Sequence, residues 1–319
     1  MRYTMLWSAE SVAQDCNNLI NNQTYRNGAI NWLRVFKGCS YKADRVDPND
    51  FDVIHIQLTG DTLDIVKTVR DRIKGNTKLV INPDYVMNNW HSFGAHPEIL
   101  IDCFKQADYV FGQAERSADF LSIALDKEVS CCPHPIDTAY LKSKALKKKD
   151  RSTTDVAVNV HMDGYYHIPY YLLRNRPLIS YLIGYRPNAV GLRDVAYRYY
   201  SHVVPYMNNA DLIDKIYRHA FFAIDHYSYN LQGRSAMELA ALGIPTLGWD
   251  TVDAQRRCFP SLTSDTGDVK HQAELMDRLI NDNDFHIEAV VEAQKNAEYY
   301  SFAACKTRFM KMIGGSDGK

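Results

Sequence analysis

Between Tyr227 and Asp250 the chain reads YSYNLQGRSAMELAALGIPTLGWD. An apolar strand pattern precedes this stretch. Gly233 then lets the backbone turn tightly into a helix that Gly243 closes, with Pro245 just beyond. The first N–H groups of a helix have no acceptor within it, so the start near Gly233, Arg234 and Ser235 is a ready anion site. Arg234 adds a fixed positive charge and Ser235 a hydroxyl, while Glu238 follows one turn later. A carboxylate in that place suits the vicinal hydroxyls of a ribose. Together these groups suit a nucleotide diphosphate at the C-terminal edge of a parallel sheet. They equally suit a plain capped helix, with Glu238 in solvent and Arg234 in a surface ion pair.

Other residues offer weaker chemistry. Arg186, in the turn Gly184-Tyr185-Arg186-Pro187, is a second candidate phosphate cation. Gly28, after Asn27, precedes a helix. His55 sits on a buried-type strand, as a core histidine or a base. Asp84, in Asn82-Pro83-Asp84-Tyr85, ends another strand, where it could accept a proton from a hydroxyl or simply cap the turn. His91 and His134 are loop candidates. Nine tyrosines between 165 and 200 interleave with Arg174, Arg176, Arg186, Arg193 and Arg198. They form either a packing surface or a stacking platform for bases and sugars.

No DxD motif stands at a strand end and no Cys/His ligand spacing appears, so no metal is expected. The seven cysteines are odd in number and lack a CxxC, as thiols in a reducing cytoplasm would be. The N-terminal apolar run is too short for a signal peptide, and no run approaches the ~18 apolar residues of a membrane span. A cytoplasmic protein is expected. The 319 residues carry 37 Lys+Arg against 38 Asp+Glu, and 1–150 holds 19 of each sign, so neither half is a polycation. Binding to nucleic acid through the phosphate backbone alone is therefore not indicated.

The elements that must position these groups alternate strand and helix in two rounds. Strands are expected at 3–7, 51–57, 78–82, 109–112 and 129–132, with helices at 27–36, 61–73, 99–106 and 114–125. A polar loop is expected before residue 27. The run 142–154 (KSKALKKKDRSTT) reads as a solvated linker rather than a nucleic-acid patch. Strands at 155–161, 178–184, 221–225 and 246–248 follow, with helices at 210–218, 233–242, 269–281 and 285–312. Alternation of this kind predicts an α/β fold with parallel sheets.

The 230–245 segment resembles the donor-binding signature of GT-B glycosyltransferases, above all the retaining family 4 type, written E-G-F-G-x-x-x-x-E-A-x-A-x-G-x-P. Glu238 takes the place of its second Glu and Gly233 that of its second Gly, with Gly243 and Pro245 in step. Asn230 stands where the first Glu would be, so the E-x7-E motif is degenerate. The turn Cys132-Pro133-His134-Pro135-Ile136-Asp137-Thr138 is similar to the one closing the family's first domain, and Ser228 is near an expected serine.

The resemblance implies two Rossmann-like domains with parallel sheets facing across a cleft. The acceptor-side domain would be 1–145 and the nucleotide-sugar domain 155–284, with 285–319 crossing back as a helix. It implies a nucleoside diphosphate sugar as donor, no required cofactor, and transfer to a hydroxyl of a saccharide, a small molecule or a modified DNA base. Glu238 would hold ribose, and Gly233, Arg234, Ser235 and Arg186 the diphosphate. Asn230 would contact the sugar, Gly28 would replace the glycine loop that approaches the phosphates, and Asp84 and His55 would be the catalytic candidates. Three other readings stay open: a nucleotide-sugar epimerase, a bacteriophage-type transferase acting on DNA bases, and a non-catalytic sugar-nucleotide binder.

Overall fold

The computed structural model describes residues 1–7, 10–20, 28–83, 97–147, 150–159, 167–183, 198–204, 207–227 and 230–314. The chain forms two units: Met1–Ile136 with Asn230–Gln232 and Tyr300–Lys319, and Asp137–Tyr229 with Gly233–Tyr299.

The first unit holds a six-stranded parallel sheet in the order β2-β1-β3-β4-β5-β6. Its strands are β1 (Tyr3–Trp7), β2 (Cys39–Lys42), β3 (Val53–Leu58), β4 (Lys78–Pro83), β5 (Tyr109–Gly112) and β6 (Ser130–Cys131). All six residues of β3 are buried, as a strand covered on both faces requires. Side chains alternate between two cores. Ile54, Ile56 and Leu58 meet Val66, Val69, Leu100 and Phe104 of the flanking helices. On the other face Tyr3, Val53 and Val80 meet Trp32, Leu33 and Phe309.

Two elements here differ from expectation. The polar loop before residue 27 contains a helix, Glu10–Ile20, which buries Ala13 and Cys16. Ala13 and Cys16 are small and Leu19 and Ile20 only partly buried, so the periodicity is faint. Asn17 ties it to β2, accepting from Ser40 N at 2.7 Å and donating to Ser40 O at 2.6 Å. The final helix is also not continuous. Asn283–Asn296 ends in a 3-10 turn, Ala297–Tyr300, and Ser301 caps a new helix, Phe302–Met312. The chain returns to the first unit at that break.

The second unit is also a six-stranded parallel sheet, β12-β11-β10-β7-β8-β9. Its strands are β7 (Asp155–Asn159), β8 (Ile179–Ile183), β9 (His202–Val203), β10 (Phe222–Asp225), β11 (Thr246–Trp249) and β12 (Thr263–Ser264). Strand order reverses between β7 and β10, which pair with Asn159 opposite Asp225. Ligands of such sheets gather at the carboxyl ends of the strands beside this switch point.

In the 142–154 run Lys142, Ser143, Lys147, Asp150 and Thr153 are exposed, as in a solvated linker, while Lys144 and Arg151 make defined contacts. The chain enters the second unit at Asp137, whose side chain caps the helix Thr138–Lys144. Lys144 reaches Asp214 at 3.0 Å. Arg151 donates to Leu242 O at 2.9 Å, to Leu146 O at 3.1 Å and to Gly243 O, binding the carbonyls that end the Arg234–Leu242 helix. Hydrogen bonds to charged groups contribute about 1.5–3 kcal/mol each, so Arg151→Ala should cost about 2–3 kcal/mol in urea unfolding once water replaces part of the loss. No helix among the described residues is long and apolar enough to cross a membrane.

Candidate functional site

The helix Arg234–Leu242 leaves the C-terminal edge of the second sheet, and every residue from Ala236 to Leu242 is buried. Gly233 stands at its N-cap with φ +83°, and the cap supplies no side-chain hydrogen bond. Met237 N bonds Gly233 O at 3.2 Å, so the amides of Arg234, Ser235 and Ala236 precede the first helical bond. A Cβ at Gly233 would lie 2.1 Å from Val252 Cγ1. Only glycine fits this turn.

Glu238 does not face solvent; its side chain is 5% exposed. Its Oε1 accepts from Arg234 Nε at 3.0 Å and from Asn209 Nδ2 at 3.3 Å. Oε2 receives no hydrogen bond among the described residues. Arg234 thus spends one donor on Glu238, while its Nη2 is enclosed without an acceptor among the described residues. Ser235 lies near the hydroxyl of Tyr217, which donates to Asn159 Oδ1 at 2.6 Å. Burial lifts the Tyr217 pKa far above that of an ordinary phenol, and the charges of Asp225 and Glu238 reinforce the shift. That hydroxyl stays protonated. His226, next after β10, stacks on Trp249 with centroids 4.6 Å apart and bonds Gln272 Oε1 at 3.3 Å. Burial holds its pKa at about 4.

Gly233, Arg234, Ser235 and Glu238 are therefore gathered as the sequence suggests. Asn230 lies with the first unit, where its Oδ1 accepts from Arg116 Nη1 at 2.6 Å. Gly28 opens the helix Gly28–Phe36 in that unit, with the His134 ring so close that a Cβ would fall 2.4 Å from it. His55 is fully buried: Tyr3 OH meets Nδ1 and Asn82 Oδ1 meets Nε2, each at 2.5 Å. Burial lowers its pKa to about 4. Asp84, His91, Arg186 and Ser228 lie outside the described residues.

Sequence reasoning missed Asn159, Asn209, Tyr217 and Asp225. Asn159 and Asp225 carry one recoverable signal, since each is the polar residue that ends an apolar strand run. Nothing local marks Tyr217. The described part of the tyrosine-rich run lies elsewhere on this unit. Tyr171 and Tyr199, 55% and 41% exposed, each contact Tyr170, and Arg174 sits 4.7 Å over the Tyr171 ring. Arg174 and Tyr199 precede β8 and β9, so this cluster is at the opposite sheet edge from Gly233.

Neither a protein-family model nor a curated protein matches the chain. Solved structures do. An apo structure of OtsA superposes with TM-score 0.73 at 13% identity, covering 98% of this chain and 99% of that one. An alpha-glucosyltransferase (AGT) in complex with UDP gives 0.68 at 13%, covering 98% and 100%. A sucrose-phosphate synthase from Thermosynechococcus elongatus gives 0.64 at 12%, covering 83% and 73%. The chain has the GT-B fold. Each GT-B unit here is a Rossmann-like parallel sheet, as the alternation of strands and helices predicts.

Proposed function

We propose that the chain is a glycosyltransferase that takes a nucleoside diphosphate sugar, without a metal, and passes the sugar to a hydroxyl acceptor. The observation that carries this reading is the uncapped helix start at Gly233 with Glu238 buried one turn away, its Oε2 open to a ligand. The amides of residues 234–236 and the remaining Arg234 donors would take the charge that builds on the leaving diphosphate. In the transfer, the acceptor oxygen bonds the anomeric carbon as the bond to the phosphate oxygen breaks. The acceptor proton passes to a base, for which Asp84 is the candidate if the enzyme inverts. His55 is enclosed on both nitrogens and is assigned no step. Asn230 would contact the sugar, and Gly28 and Arg186 would assist at the phosphates.

Uridine diphosphate is the first probe, because an alpha-glucosyltransferase of this fold is seen with UDP and with UDP-glucose. A ligand that binds only the folded chain stabilises it by about 2.7 kcal/mol at a hundred times its Kd. UDP should raise the melting temperature equally with and without EDTA. Glu238→Ala should weaken UDP roughly 10- to 100-fold, the worth of hydrogen bonds to a carboxylate. No shift with any nucleoside diphosphate would overturn the reading, and unchanged affinity in the variant would remove Glu238 from it.

A nucleic-acid acceptor is the second reading. Its support is the near-complete mutual coverage with an alpha-glucosyltransferase also seen with DNA containing a HMU base, 98% of this chain and 99% of that one. Transfer of labelled sugar to such DNA, and not to free saccharides, would select it.

A further inference from the structure

The carboxyl end of β7 holds a polar pair for which the donor reading has no task. Asn159 closes the strand and is 3% exposed. Its Oδ1 accepts the Tyr217 hydroxyl, which lies near Ser235, the second residue of the Arg234–Leu242 helix. A phenolic O–H donates to a carbonyl oxygen, so this bond decides which way the amide faces: Oδ1 toward Tyr217, Nδ2 away from it. That Nδ2 is shielded from solvent and has no acceptor among the described residues. Buried donors are nearly always paired, and an orphan at a strand end beside a switch point calls for a partner. Arg234 Nη2, on the residue before Ser235, is a second enclosed donor without an acceptor among the described residues. Two orphan donors and an uncapped helix start, all in the neighbourhood of Tyr217, make a set that lacks only acceptor oxygens.

We infer that Asn159 donates through Nδ2 to a phosphate oxygen of the bound nucleoside diphosphate, and that Tyr217 is the positioning residue that holds the amide in that orientation. This rests on the donor reading above and extends it to residues that no motif marks. The Asp225 carboxylate across the ladder from Asn159 opposes an anion, so the donors must outweigh it. Selectivity for phosphate oxygens over the nucleoside is then set by amide orientation as well as by charge.

The test compares UDP with uridine in the full chain, by titration calorimetry and ligand-detected NMR. Asn159→Asp keeps the shape and replaces the donor with an acceptor, and should weaken UDP at least tenfold while changing uridine less than twofold. Tyr217→Phe frees the amide to turn and should weaken UDP several-fold with the same sparing of uridine. Should the buried charge of the first variant unfold the chain, Asn159→Ser carries the same comparison. A purely structural role would move both ligands together. If wild-type chain binds UDP and the variants bind it as well, or lose uridine in parallel, this inference fails and the donor reading stands. If wild-type chain binds no UDP, the donor reading itself falls.

Discussion

Gly233→Ala is expected to destabilise the chain by roughly 2–5 kcal/mol and to abolish nucleotide binding. Two costs add. An L-residue held at φ +83° pays about 1–2 kcal/mol for the left-handed region. The new Cβ would also sit 2.1 Å from Val252 Cγ1, and Val252 is fully buried. Overpacking of that kind adds about 1–3 kcal/mol, and a β-branched side chain has few rotamers with which to step aside. Relief by backbone movement would swing the amides of Arg234 and Ser235 away from any anion. Urea unfolding measures the first effect and UDP calorimetry the second. Adding Val252→Ala should restore the packing part and leave the φ cost. A Gly233→Ala chain as stable as wild type would show that this turn is not formed.

The second large effect is on acid stability. His55 and His226 are both buried, and burial holds each folded pKa at about 4, below the usual 6.5. Unfolded chain therefore binds two protons that folded chain refuses. The stabilisation is whole above pH 6.5 and is lost as pH falls through 4, amounting to roughly 3 kcal/mol for each histidine. Between pH 6 and 5 the pair should contribute a slope of about 2 kcal/mol per pH unit. His55→Gln should remove about half of that slope, at some cost in stability at pH 7, because the amide can meet Tyr3 and Asn82 without titrating. Denaturant midpoints across this window give the answer. An unchanged slope in the variant would mean that His55 is not enclosed as described.

How far the sequence could be read depended on what each element is made of. β3 and β7 carry apolar residues toward both faces, because both faces of a parallel strand are covered, and such runs stand out. Glu10–Ile20 packs with Ala13, Cys16, Leu19 and Ile20, and the polar residues between them hide the stripe. In the 142–154 run Lys142 and Lys147 mark solvent as lysines usually do, whereas nothing local marks Arg151, which is drawn in by the carbonyls that end a buried helix. In the candidate site, Gly233, Arg234, Ser235 and Glu238 share one helix start, and their grouping is a matter of helical spacing alone. Asn159 and Tyr217, 58 residues apart, carry no such mark.

By itself the sequence determined two rounds of α/β structure and the helix start at Gly233, because burial periodicity and capping act over a few neighbouring residues. It also determined that neither half would bind anions by bulk charge. Only the tertiary structure decided that Glu238 would be buried against Arg234 and Asn209, that Tyr217 would turn the Asn159 amide, and that Asn230 would join the first unit. It decided likewise that the last helix would break at Ser301. Those outcomes depend on which distant strands become neighbours. That choice is made by the packing of whole sheets and helices, which no window along the chain contains.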